Sequence, residues 1–449
     1  MPAAPATDSN VPPWPPAGRA WTMLGVMTIA YILSFVDRMI FGLLITPIRT
    51  DFAINDTVFS LLYGLGFAFF YTVVGVPLGW IADRYNRRNL AVIGIAAWSV
   101  MTAACGLAKS FGQLAFARIA VGVGEATLTP ATYSMAGDSF PPHKLGRALS
   151  VFVIGWPLGI GLALIIGGLV IEFVAETQAY SWPLVGELKS WQVCFLVVGL
   201  PGLLIAALAM MLPEPVRRLP KTPDANEAKA SAFVHLRKHW QAYTGLTVGY
   251  SMISVVMNTY HLWGVQVFVR LHEIPVSKAG LMVGSVIAIL GTLGILTGGW
   301  LNDRLRAAGH EDAALKVGML AALCMIPFTA SATLVDSAWL TLCLMLPIGF
   351  FTSFGFGASG AAIVLLTPSQ IRGTVAAVYL FVLNMIAMGL GPLLTALMND
   401  HVFHSDLAVG RSVAVVATTA LVLSTILLAW GRPHVRDLSE RSRAGDETT

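Results

Sequence analysis

Four ionisable side chains lie inside long apolar runs of this chain: Asp37 and Arg38 in "YILSFVDRMIFGLL", and Arg118 and Glu125 in "LAFARIAVGVGEATL". A charge at the centre of a bilayer costs about 2.5–3.5 kcal/mol on insertion scales, so such residues are functional candidates by default. Arg118 and Glu125 are seven residues apart, about two helical turns, or roughly 10 Å along one helix face. If the two helices adjoin, Asp37 and Arg118 fall at matching depth and can pair. Glu125 sits nearer the middle, beside Gly122 and Gly124, small residues that let a neighbouring backbone approach. A carboxyl at that depth, exposed to one side and then the other, can carry a proton. The same four charges can instead form a fixed network that holds two helices in register, and spacing alone leaves both readings open. No charge of comparable depth occurs in the second half of the chain.

Helices must position these groups. The 449 residues are 56% hydrophobic and 12% charged, with a mean hydropathy of +0.73, whereas soluble domains carry about 25% charged residues. Lipid is therefore the solvent, and apolar runs of about 20 residues must close their backbone hydrogen bonds within the segment, as helices. The runs predict twelve spans, at 21–48, 57–81, 89–108, 112–136, 145–172 and 191–212, then 239–269, 278–301, 314–334, 338–366, 373–398 and 409–430. The polar stretch 213–238, rich in Pro and charge, divides them into six-helix bundles at 21–212 and 239–430, with tails at 1–20 and 431–449. Of the 28 Lys and Arg, 20 fall on the side of the termini and linker and six on the other. The positive-inside rule then makes both termini cytoplasmic, and the net charge of +4 reflects topology, without a nucleic-acid partner.

Several functions are disfavoured. The first twenty residues lack the basic start, apolar core and cleavage site of a secretory signal. The four cysteines lie in apolar stretches with no metal or redox spacing. There is no phosphate-binding GxxxxGK[ST] loop and no Ser/His/Asp constellation. The expectation is no enzyme, no cofactor and no metal. A receptor or scaffold gives no reason to keep four charges in the membrane.

One charged phrase is written twice: "GWIADRYNRR" from Gly79 and "GWLNDRLRAA" from Gly299, with Asp83 and Asp303 220 residues apart. Both fall in loops on the cytoplasmic side. The first resembles the loop between spans 2 and 3 of the major facilitator superfamily, through Gly79, Asp83, Arg84, Arg87 and Arg88. Asn86 stands where that family has a second Gly, and Asn tolerates the left-handed backbone better than most residues. The second copy keeps Asp303 and Arg304 but has Ala307 and Ala308 in place of the basic pair. Together "YILSFVDR", "ADRYNRR", "RIAVGVGEA", "GWPLGIG" and "LVVGLPGLLIAALAMMLPEPVRR" resemble the spinster-like branch of sphingolipid and lysophospholipid transporters.

That resemblance implies a major facilitator fold of two six-helix halves. It also implies a proton-coupled secondary transporter that moves an amphiphilic, lysophospholipid or sphingoid-type substrate by alternating access, as a monomer in a bacterial inner membrane. Carried over, Arg38 meets an anionic head, while Asp37, Glu125 and Arg118 couple protons. Asp83 is expected to accept from amides at the start of span 11, where the helix dipole is positive, and to hold the outward-facing state. The second half offers Asn258, Tyr260, His261, Ser353, Phe354 and Asn384 as further substrate contacts, because amide and aromatic groups suit an amphiphile. Gly155, Pro157, Gly159 and Gly161 in span 5 read as helix packing more than as an exchange motif. A carrier of small organic anions and an exporter of hydrophobic drugs are the alternatives.

Overall fold

The computed structural model describes residues 14–175, 180–182, 186–217, 225–368 and 371–444. Among these, eleven helices are long and apolar enough to cross a membrane. In the first half they are α1 (Ala17–Leu43), α2 (Asp56–Ala82), α3 (Arg87–Cys105), α5 (Lys144–Val174) and α6 (Ser190–Met210). In the second half they are α7 (Trp240–Leu271), α8 (Val276–Ala307), α9 (Ala313–Ser331), α10 (Ala338–Leu366), α11 (Arg372–Phe403) and α12 (Asp406–Glu440).

The fourth crossing differs from the single span expected over 112–136. It is built from two shorter helices, α4a (Phe111–Glu125) and α4b (Leu128–Ser139). Pro130 explains the break: it has no N–H to offer the carbonyl of Ala126, and its ring crowds that carbonyl. The Thr127 hydroxyl donates instead to the carbonyl of Gly124, at 2.9 Å. The break falls directly after Glu125, so the end of a helix, and not its middle, carries this carboxylate.

Other boundaries also shift. The last helix runs on to Ala444, through most of what the sequence reads as a tail. The linker contains a helix, Ala225–Lys238. Between α5 and α6 a short hairpin pairs β1 (Tyr180–Trp182) with β2 (Gly186–Leu188), antiparallel. We call the face that bears the linker the linker side and the opposite face the far side.

Within the first half α1 packs along α5, and α3 packs against α4a and α6. In the second half α7 is sandwiched by α11 and α12, and α9 lies against α12. The halves meet where α5 touches α8, α2 touches α11 and α1 touches α7. Close approach needs residues without a side chain. A Cβ on Gly161 would land 2.5 Å from the Gly284 carbonyl oxygen, and one on Gly284 would land 2.5 Å from that of Gly161. Gly161 in α5 thus serves helix packing. Wide helical turns interrupt α2 at Leu61–Gly66 and α8 at Ile287–Gly291, at related places in the two halves.

Candidate functional site

The charged centre lies between α1, α2, α3 and α4a. Arg38 forms an ion pair with Glu125. The second Glu125 oxygen, Oε1, has no hydrogen-bond partner. The Arg38 guanidinium lies over three rings, Phe35 at 5.2 Å, Phe67 at 4.6 Å and Tyr71 at 5.3 Å to the centroid. The ring faces supply negative potential to the cation.

Arg118 departs from the pairing the sequence predicts. It does not bond the Asp37 carboxylate. Its Nη1 donates to the main-chain carbonyl of Asp37 and its Nη2 to that of Arg38, each at 3.2 Å. Its guanidinium sits 5.0 Å from the Phe41 ring and 4.9 Å from the Phe67 ring. Phe67 is therefore shared by both cations. Asp37 is fully buried, at 0% exposure, and neither of its carboxylate oxygens has a hydrogen-bond partner. Trp98 and Thr102 of α3 stand within reach of it, yet the indole N–H and the hydroxyl are themselves unpartnered.

Aromatic residues continue from this centre toward the linker side. Tyr31 stacks on Phe152 at 4.6 Å and meets Phe35 edge-on at 5.0 Å. Tyr133 of α4b packs edge-on against the same Phe152 at 5.8 Å. Sequence reasoning missed Tyr31, Tyr71, Tyr133, Phe67, Trp98 and Thr102. One signal was available: Tyr31, Phe35 and Arg38 follow i, i+4, i+7 spacing and so share a face of α1.

The second-half candidates do not converge on this centre as one cluster. Tyr260 and His261 line a small apolar cavity of about 30 Å³ with Met257, Ile348 and Thr352, and the Tyr260 hydroxyl is unpartnered. Asn258 is occupied within its own helix, its Nδ2 donating to the Ser254 carbonyl at 2.9 Å. Ser353 is buried, Phe354 packs among Phe350 and Phe351, and Asn384 is half-buried.

At the linker side the repeated phrase makes the same contact twice. Arg84 lies over the Trp80 ring at 3.9 Å, and Arg304 lies over Trp300 at 5.4 Å. Asp303 is exposed and accepts from Asn302; Gly79 has open space beside it. The Asp83 side chain lies outside the described part of the structure, so its expected contact with α11 does too. Arg87 is buried and tied within its own half, to Asp138 of α4b, to Glu214 after α6 at 2.8 Å and to the Pro215 carbonyl at 2.6 Å. Arg88 follows it, its amide donating to Glu214 at 2.8 Å.

Two helical halves packed through glycines around a charged, ring-lined centre have the architecture of a membrane transporter. The chain belongs to the major facilitator superfamily, whose family model matches residues 27–392. Its relatives include an MFS-type efflux pump of Mycolicibacterium smegmatis, 27% identical over 95% of this chain and 96% of that one. They also include protein spinster homolog 1 of Homo sapiens, 26% identical over 64% of this chain and 56% of that protein. Among solved structures, a bacterial homolog of the human lysosomal transporter Spinster, in an inward-facing and unoccupied conformation, superposes with a TM-score of 0.76. That match covers 95% of this chain and 98% of the other at 23% identity, and it defines a shared fold.

Proposed function

We propose that this transporter couples proton movement to the movement of an amphiphilic, lipid-like substrate with an anionic head, of the lysophospholipid or sphingoid type. The observation that carries the reading is the Arg38–Glu125 pair, made between two helices of the first half beside an Asp37 whose oxygens are unpartnered. An anionic head arriving at Arg38 competes with Glu125. Removing one partner of a buried ion pair leaves the other charge uncompensated, so Glu125 leaves Arg38 most readily when it takes up a proton. Substrate and proton then act on one ion pair, and differential binding to the two facing states shifts their populations. Asp37 is the second acid of the relay, and Arg118 holds the α1 backbone at the place where both act. The rings of Tyr31, Phe67, Tyr71 and Tyr133 suit the apolar body of the substrate. The likeness to spinster proteins supports the substrate class, and the positive-inside bias supports a cytoplasmic linker side in a bacterial inner membrane.

In proteoliposomes with an imposed pH gradient, labelled lysophospholipid moves with the wild type and stalls at background with Glu125→Gln, and the recovered lipid is chemically unchanged. Equal, gradient-independent movement in both removes proton coupling. A second reading, export of hydrophobic compounds, is favoured by the efflux-pump relative aligned along nearly the whole chain. Under it, a lipophilic dye is transported and lysophospholipid neither moves nor competes.

A further inference from the structure

On the far side the two halves are joined by charges that no part of the site above uses. Asp56, the first residue of α2, is a carboxylate with 0% exposure. Arg270 at the end of α7 grips it with two bonds, at 2.7 and 2.9 Å. Arg49, on the segment between α1 and α2, reaches it at 2.7 Å, and Asn399 of α11 donates to it at 3.2 Å. Arg49 also bridges to Asp406 at the start of α12, at 3.1 Å. Beside this cluster, Asp400 of α11 accepts from the main-chain N–H of Thr57 and from its hydroxyl, both at 2.6 Å.

The Asp400 contact differs in kind from the ion pairs around it. The first N–H groups of a helix have no partner inside that helix and are normally satisfied by a side chain just before it. Asn55 does this locally for Val58, at 2.9 Å. The Thr57 N–H is satisfied from the other half of the protein. We infer that Asp400 is a detachable cap for α2, and that with the Asp56–Arg270 pair it forms the lock that holds the far side shut.

The antiparallel arrangement of the two helices gives the lock its logic. α2 begins on the far side, where α11 ends in Asp400. α11 begins on the linker side, where α2 ends at the Asp83–Arg84 phrase. Separating the halves on the far side strips α2 of a cap and leaves buried Asp56 and Arg270 without each other, so opening there requires another contact to form at the opposite end. The inference rests on the transporter class alone, and neither substrate identity nor proton coupling enters it.

The test is made without substrate or gradient. Spin labels at Lys109 and Asp336, exposed positions in the two halves, report the far-side separation in nanodiscs. Wild type gives one short distance population. Asp400→Ala adds a longer one, changing the shut-to-open ratio about fivefold or more, the ratio that corresponds to one lost cap. Asp400→Asn keeps an oxygen for the Thr57 N–H and stays near wild type, because Asn caps as well as Asp. Unchanged distances in Asp400→Ala overturn the lock, and an open population in Asp400→Asn equal to that of Asp400→Ala overturns the capping role. Should Asp400→Ala fail to fold, Asn399→Ala and Arg270→Gln read the same distance, and two unshifted distributions overturn the proposal. Failure of lipid transport with these distances behaving as stated counts against the substrate reading and leaves the lock standing.

Discussion

Arg38 has one carboxylate partner and three aromatic neighbours, and this ratio shapes what substitution does. Breaking a buried pair from one side costs about 3–5 kcal/mol, whereas removing both charges is often neutral. Glu125→Gln therefore lowers the thermal unfolding midpoint of purified protein, and the double change Glu125→Gln with Arg38→Gln recovers most of it. Both variants are inactive in transport. A double variant as unstable as the single one would mean that the pair is not what holds these helices. The four charges were legible because an ionic group in an apolar run is visible in any sequence. Their pairing was not. Asp37 and Arg38 are neighbours that point about 100° apart around α1, and spacing along one helix does not say which of them faces Arg118 or Glu125.

At the scale of elements, eleven of the twelve expected spans are single helices readable from apolar length, and the break in the fourth was not, although Pro130 marked it. A Pro three residues into a new helix and a Pro within a continuous span look alike when only hydropathy is summed. The extension of α12 was hidden for the opposite reason: beyond residue 430 the chain turns polar, and contacts with another loop make up for lost lipid burial. Asp312, just before α9, is the anchor. It receives Arg432 at 2.7 Å and Lys316 at 3.2 Å. Burial opposes its ionisation, but the hydrogen bonds and charges of Arg432 and Lys316 outweigh burial and hold its carboxyl below its ordinary value of 3.8. A depressed carboxylate stabilises the fold fully above the unfolded value and loses that contribution as pH falls through the folded one. Amide protection in residues 432–444, taken relative to the intrinsic exchange rate at the same pH, is accordingly high at neutral pH and falls as the medium is acidified below that ordinary value. Asp312→Asn shows the low protection already at neutral pH; undiminished protection in that variant would locate the anchor elsewhere.

Across the whole molecule the halves share a frame. The sequence made the repeat plain through the doubled Gly-Trp and Asp-Arg phrase, and it placed every deep charge in the first half. Beyond the shared α1 face of Tyr31, Phe35 and Arg38 it could not show the aromatic lining, since rings are common in membrane helices and only packing selects which ones face inward. On our reading the first half holds the proton-linked pair and the rings around it, and the Tyr260–His261 cavity of the second half adds a contact for the far end of the acyl chain. Tyr260→Phe with His261→Ala then alters the preferred acyl length, seen as a change in KM across a lipid series, while the dependence on the proton gradient is retained. Loss of that dependence would show that this cavity takes part in coupling as well. The paired Trp80–Arg84 and Trp300–Arg304 stacks carry a last consequence. Exposed Trp and Arg prefer the headgroup level, so both halves are moored at one depth, each on a helix that meets the opposite half. Rocking is then free while vertical slippage is resisted, and the membrane itself becomes part of the bearing. Turnover should peak at one bilayer thickness and fall in thinner and thicker lipid alike, with the peak broadened when both tryptophans are replaced by leucine.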